Sequence, residues 1–156
     1  MPDLRKSRPS LFSHRLPETR AMVRHYLNHW CTGILEGDVG PERIAELLEE
    51  MPGIGPVRVR LGDEPGRSLV VFQEPVTEAL RGLQCATGDL AVAETGDLVE
   101  GPRTSLRIVD HGCARDAVRS IVERFGGLYR PTDRPGVAWE RIAVPGDGDA
   151  PAAPTP

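Results

Sequence analysis

The first third of the chain carries the apolar spacing of helices. Between residues 17 and 37, apolar side chains recur in pairs four positions apart, which predicts a helix with one wide apolar stripe. That stripe consists of Met22, Val23, Tyr26, Leu27, Trp30, Cys31, Ile34 and Leu35. A second helix is predicted over residues 41–51, because a proline suits the first turn of a helix and Pro52-Gly53 suits its end.

From residue 57 onward the pattern becomes mainly that of strands. Residues 57–61 alternate between apolar and polar, and residues 68–73 form a nearly continuous apolar run, so two neighbouring strands are expected. The following segments are predicted as a short helix over 75–83, a hairpin over 89–100, a strand over 104–109, an amphipathic helix over 114–125 and a last strand over 137–144. Gly126 and Gly127 are expected to close that amphipathic helix.

This order of elements predicts an α+β fold. It consists of two N-terminal helices and then a mainly antiparallel sheet with helices packed on one face, in a ferredoxin-like or related sandwich. Residues 1–15 mix proline, serine and basic residues, and we expect a flexible basic leader there. The tail over residues 145–156 is rich in proline, glycine and alanine and is expected to be disordered, which leaves a single domain over 16–144.

Composition fits a globular protein of one domain. The 156 residues are 39% apolar and 27% charged, so the chain can build one hydrophobic core. Aromatic residues are scarce at 4%, and the large ones expected to anchor that core are Trp30, Phe72, Phe125 and Trp139.

Hydropathy and cysteine content predict the cellular setting. No stretch reaches the roughly 20 apolar residues of a membrane helix, and the start of the chain lacks the apolar run of a secretory signal. Three widely spaced cysteines favour reduced thiols, so we expect a soluble cytoplasmic protein without membrane contact. Lys6 is the single lysine among 19 basic residues, a codon bias typical of a high-GC bacterium.

Charge is unevenly distributed along the chain. The formal net charge is −4, although residues 1–30 carry six basic side chains against two acidic ones. The rest of the chain is therefore acidic, which disfavours nucleic-acid binding by the domain as a whole. One alternative function is that of a nucleic-acid accessory protein, which would bind through the basic N-terminal arm.

One cluster has the residue types of a small catalytic site. Asp110, His111 and Cys113 lie where a strand is predicted to turn directly into a helix. The positive end of a helix favours a thiolate, and a nearby histidine can accept the thiol proton. These residues predict a cysteine nucleophile with a histidine acid or base at residues 110–116, unless Asp110 or Gly112 caps the helix and Cys113 packs inward.

A second cluster could bind an anion. Arg58, Arg60 and Arg107 occupy polar positions of strands whose alternate residues are apolar. If those strands are neighbours, the three guanidinium groups would form a site for an anionic ligand or an acidic partner. The competing interpretation is a solvated sheet face whose arginines pair with nearby carboxylates.

No metal and no cofactor are predicted. His25 and His29 have the four-residue spacing that can present two imidazoles to one metal. On the predicted helix, however, both lie opposite the apolar stripe and face solvent, which disfavours a protein-caged zinc.

A catalytic site usually needs several polar groups that converge in one pocket, and residues 110–116 are the one candidate cluster of that kind in the sequence. The sequence therefore favours a small non-catalytic binding or accessory domain. It would act through a partner protein, through a homodimer or on an anionic ligand. The alternative from another class is a small enzyme that depends on Cys113 and His111.

Overall fold

The computed structural model describes residues 29–109 and 112–144. The strands are β1 (Trp30–Glu36), β2 (Val57–Leu61), β3 (Arg67–Gln73), β4 (Leu80–Thr87), β5 (Arg103–Val109), β6 (Gly127–Arg130) and β7 (Glu140–Ile142). The helices are α1 (Pro41–Glu49), α2 (Gly88–Thr95) and α3 (Gly112–Phe125), and a 3₁₀ turn (Gly96–Leu98) follows α2. The strands form one antiparallel sheet in the order β2-β3-β4-β5-β1-β6-β7.

Helices α1 and α3 cover one face of this sheet, which we call the helix face. The main core lies between them and alternate residues of the central strands, so each strand contributes every second side chain. Its fully buried members include Ile44, Leu48, Val70, Phe72, Leu83, Leu106, Ile108, Val118, Ile121 and Val122. Helix α3 ends as the sequence predicts, because Gly126 takes φ +82° and its N–H donates to the carbonyl of Val122 at 2.7 Å.

The opposite face of the sheet is covered only in part. Helix α2 packs there against β4 and β5, and a smaller apolar cluster of Ile34, Val99 and Leu128 lies beside Trp139. The helices therefore lie on both faces of the sheet, and the expectation that they pack on one face is wrong.

The first predicted helix is also wrong where the structure describes it. Its second half is β1, which lies in the middle of the sheet between β5 and β6. Residues 31–35 are all buried, so the apolar side chains among them belong to a central strand covered on both faces and only coincidentally match a helical stripe. Gly33 permits this position, because a Cβ there would lie 2.7 Å from Cγ2 of Val122.

For two further segments the predicted type of secondary structure is wrong. The predicted helix over 75–83 is a turn followed by β4, whose Leu83 and Cys85 are buried in the core. The predicted hairpin over 89–100 is α2 and the 3₁₀ turn. Gly96 has φ +58° and follows the last residue of α2, so Thr95-Gly96 marks the end of a helix rather than a hairpin turn.

The predicted fold class is therefore incorrect. Seven antiparallel strands with β1 inserted between β5 and β6 replace the two N-terminal helices and the ferredoxin-like arrangement. Helices α1 and α3 and strands β2, β3 and β5 lie where the sequence predicts them. The predicted leader (1–15) and tail (145–156) lie outside the described residues.

Candidate functional site

The sheet face opposite α1 and α3 carries most of the strand arginines, and we call it the arginine face. Strand alternation and the pairing registers place side chains on it in rows that run across the sheet. One row, from β2 to β6, consists of Arg60, Leu69, Gln84, Arg107, Thr32 and Arg130.

The three arginines singled out by sequence share this face but do not meet. Arg58 and Arg60 are in the edge strand β2, whereas Arg107 is in β5, three strands away. At about 4.8 Å per strand, Arg60 and Arg107 are separated by roughly 14 Å along the row. Their strands are not neighbours, and ligand binding by these arginines stays a prediction.

Arg107 instead lies near an arginine that the sequence did not single out. Arg130 is two places further along the same row, with only Thr32 of β1 between them. The guanidinium carbon of Arg107 lies 4.6 Å from the centre of the Trp30 ring, and that of Arg130 lies 4.4 Å from the centre of the Trp139 ring. Each guanidinium is thus held against an indole, the strongest aromatic partner for a cation.

Arg107 and Arg130 line one cavity of about 390 Å³ on the arginine face. Its floor is the middle of the sheet, one wall is the end of α2 and the 3₁₀ turn, and the other is the segment between β6 and β7. The lining residues are Thr32, Ile34, Glu94, Thr95, Leu98, Ser105, Arg107, Arg130, Asp133 and Trp139. Cavities of this size accommodate small-molecule ligands.

The charged side chains that line the cavity are two arginines and two carboxylates. Its two carboxylates have partners outside the arginine pair: Glu94 accepts a hydrogen bond from Arg67 at 2.9 Å, and Asp133 accepts one from the backbone N–H of Trp30 at 3.0 Å. Within the described ranges, neither Arg107 nor Arg130 forms an ion pair. The lining thus holds two arginines and two carboxylates, and neither arginine is within ion-pair distance of a described carboxylate.

Two buried polar atoms near the cavity lack hydrogen-bond partners among the described residues. They are Nε of Arg130 and the hydroxyl oxygen of Thr132, two residues further along the chain. A buried donor without an acceptor costs free energy comparable to a lost hydrogen bond, and such atoms are infrequent in folded proteins. Arg130 therefore keeps donor capacity that the described chain does not use.

The wall formed by α2 is fixed to the sheet by Arg103. This buried side chain donates from Nη1 to the hydroxyl of Thr95 and to the carbonyl of Gly96, and from Nε to the carbonyl of Gly101. The shape of the cavity consequently depends on the hydrogen bonds that Arg103 makes through Nη1 and Nε.

The predicted cysteine site is described only in part. Cys113 is half-buried in the first turn of α3, where it lines an apolar cavity of about 250 Å³ with Phe72, Pro75 and other residues. Asp110 and His111 lie outside the described residues, so the structure does not relate them to the thiol. A catalytic role for Cys113, His111 and Asp110 stays a prediction.

The other two cysteines are core residues. Cys31 and Cys85 are buried, and burial raises the pKa of the Cys85 thiol to about 12, although a hydrogen bond with Ser68 acts in the opposite direction. Thiols of this kind are poor nucleophiles at neutral pH.

The histidine pair offers no metal site in the described part of the chain. His25 is outside it, and Nδ1 of His29 lies 3.3 Å from Oδ1 of Asp133. Among residues 29–109 and 112–144, no group of three or more histidine, cysteine or acidic side chains could hold a metal ion.

Comparison with known proteins finds no relative of this chain. No protein-family model, no curated protein and no solved structure matches this chain. In the described residues, no helix is both long and apolar enough to cross a membrane.

Sequence inspection missed Arg130, Trp30 and Trp139 as site residues. Both tryptophans were expected in the core, but each is only half-buried and stacks on an arginine of the arginine face. The sequence does contain an indication of Arg130, because an arginine directly after the apolar pair Leu128-Tyr129 is a candidate polar position of a short strand. Its proximity to Arg107 depends on strand order, which local patterns do not encode.

Proposed function

We propose that this protein is a non-catalytic binding domain that takes a small anionic ligand in the cavity lined by Arg107 and Arg130. The observation that carries the proposal is that both guanidinium groups line one cavity without a carboxylate partner in the described chain. An anion in that cavity gains charge-assisted hydrogen bonds from both.

The stacking on tryptophan supports a binding role. The guanidinium carbons lie over the indole rings at 4.6 Å (Arg107) and 4.4 Å (Arg130) from the ring centres, and neither side chain donates a hydrogen bond to a described residue. Trp30 and Trp139 thus orient Arg107 and Arg130 without using their donors. Such fixed donors lose little conformational entropy when a ligand binds.

The spacing of the arginines indicates the kind of anion. Their Cα atoms are two strand positions apart, roughly 10 Å, and the side chains reach into the same space from opposite sides of Thr32. A ligand with one phosphate or with two carboxylates can satisfy two such guanidinium groups, and the hydroxyls of Thr32 and Ser105 add polar contacts on the floor.

The lining favours binding over catalysis. It contains no cysteine, histidine or lysine, and the Thr95 hydroxyl already donates to the carbonyl of Ala91. Glu94 and Asp133 are held by their own partners, so neither is positioned as a general base for the Thr32 or Ser105 hydroxyl.

Intrinsic fluorescence tests the proposal directly, because Trp30 and Trp139 are the two tryptophans of the chain and both stack on the arginines concerned. The protein is titrated with inorganic phosphate and separately with succinate, against sodium chloride at matched ionic strength. We expect a saturable change with at least one of the two anions and none with chloride; which anion binds tightest distinguishes a phosphate site from a dicarboxylate site.

Charge-removing variants locate the site. Arg107→Gln and Arg130→Gln should each weaken binding by roughly 10-fold or more, the loss expected for a hydrogen bond to a charged group. The matched control is Arg58→Gln, which removes the same charge from the same face three strands away. No saturable change with either anion, or an equal loss in the control, would refute the proposal.

A further inference from the structure

The strand β2 is an edge of the sheet. It pairs with β3 on one side, and no strand of the described chain pairs with its other side. Its five residues contain no proline, so the unpaired backbone N–H and C=O groups of this edge can accept another strand. Such an edge is a template for strand addition by a partner.

The arginine-face side of β2 is basic and uncompensated. Arg58 and Arg60 are both exposed, and neither forms an ion pair with any residue that the structure describes. They border a groove of about 590 Å³ with Val71, Gln73 and Leu80, and the Leu80 residue is 71% exposed. Positive charge and apolar surface thus occur together beside the free edge.

The helix-face side of the same strand is apolar. Val57 and Val59 are half-buried and pack against the main core, whereas Leu61 is 78% exposed at the end of the strand. A strand added next to β2 would therefore meet arginines on one face and valine and leucine side chains on the other.

A second copy of this chain is disfavoured at this edge. Directly opposite residues of an antiparallel pair point to the same face, so two-fold pairing of β2 with itself would place arginine opposite arginine. Like charges in opposite positions destabilise such a pair. The basic N-terminal 30 residues are disfavoured for the same reason.

We propose that β2 binds an extended segment of a partner protein as an additional antiparallel strand. The segment carries acidic side chains at two alternate positions, opposite Arg58 and Arg60, and β-branched apolar side chains between them. Backbone hydrogen bonds along the free edge supply affinity, and the charge pairs fix the register. The cavity of Arg107 and Arg130 takes no part in this contact.

The test uses a fluorescein-labelled peptide with a Glu-Val-Glu-Val-Glu segment, titrated with the whole protein and followed by anisotropy. The same peptide with lysine in place of glutamate should bind at least roughly 10-fold more weakly, because each charge pair becomes a repulsion. A third peptide, N-methylated at alternate residues, keeps the side chains but blocks pairing with the edge and should lose binding.

Charge reversal on the protein completes the test. Arg58→Glu with Arg60→Glu should exchange the preference, so that the lysine peptide becomes the tighter ligand. The matched control is Arg43→Glu with Arg124→Glu, two exposed or half-exposed arginines of α1 and α3, which should preserve the original preference.

Three results would overturn the proposal: equal binding of the N-methylated peptide, an unchanged preference after charge reversal, or a preference lost in the control. A large gain in peptide affinity when residues 145–156 are deleted would overturn it too. Asp147 and Asp149 have the same two-residue spacing as the proposed segment, and that result would make the chain's own tail the occupant.

Discussion

Arg103 and Thr95 join helix α2 to the sheet by a buried hydrogen bond of 2.8 Å from Nη1 of the arginine to the threonine hydroxyl. Both residues are buried, and the same Nη1 also donates to the carbonyl of Gly96. Because α2 forms one wall of the cavity, this bond couples the stability of the helix to the shape of the site.

Thr95→Val should lower the free energy of unfolding by about 1–3 kcal/mol, because it keeps the side-chain shape but leaves a buried guanidinium N–H without its acceptor. Chemical denaturation measures the change. The control is Thr87→Val, whose hydroxyl makes only a long 3.4 Å contact with Gly66, and its effect should stay within about 0.5 kcal/mol. Equal losses in the two variants would contradict a specific role for the Thr95 hydroxyl.

Gly33→Ala should destabilise the protein by about 1–3 kcal/mol, since the added Cβ would lie 2.7 Å from Cγ2 of Val122 and 3.0 Å from Cγ1 of Val118. Denaturation midpoints at a constant m-value give the loss. In Gly40→Ala the nearest atom is the flexible Glu42 carboxylate at 3.3 Å, so a smaller change is expected there. If Gly33→Ala costs less in a Val122→Ala background, the steric clash is its cause.

Stability should fall as the pH rises above about 9, because burial raises the pKa of Cys85 to about 12. Below the ordinary thiol pKa both states hold the proton, so the contribution is constant; between about 9 and 12 only the unfolded thiol ionises, which favours unfolding by up to about 1.4 kcal/mol per pH unit. Urea unfolding at a series of pH values should show a shallower decline for Cys85→Ala.

The control for that decline is Cys113→Ala, which should keep the slope of the unmodified protein. Burial also raises the pKa of Tyr129, so the two variants are compared between about pH 9 and 10, before phenol ionisation dominates in the unfolded chain. A slope unaffected by Cys85→Ala would show that other groups cause the decline.

If the domain is non-catalytic, the alkylation of Cys113 should not depend on His111. We expect Cys113 to react with iodoacetamide faster than the buried Cys31 and Cys85, because it is the one half-exposed thiol of the three. His111→Ala should leave the pH profile of that rate unchanged between about pH 6 and 9. A rate that falls many-fold on the acidic side of the profile in His111→Ala would support the cysteine-dependent enzyme instead.

Helices and strands that are specified by local sequence signals could be predicted from the sequence. Helix α1 follows from Pro41 and the stop at Pro52-Gly53, and α3 follows from its apolar spacing and the glycine that ends it. Strands β2 and β3 follow from alternation and a continuous apolar run. Thr95-Gly96 led to the incorrect prediction of a hairpin, because a glycine with positive φ occurs both in hairpin turns and at the ends of helices. Only the packing of α2 on β4 and β5 decides between the two.

The sequence by itself determined which segments alternate between apolar and polar residues, and that Arg58, Arg60 and Arg107 occupy polar strand positions. Only the tertiary structure decided that β1 is a central strand, since residues 30–36 pair with residues 103–109 far along the chain. That non-local pairing, with β6 on the other side of β1, places Arg130 two strands from Arg107, whereas Arg58 and Arg60 lie in β2, an edge strand of the described sheet. Local spacing specifies which side chains share a face, but long-range strand order specifies which of them meet.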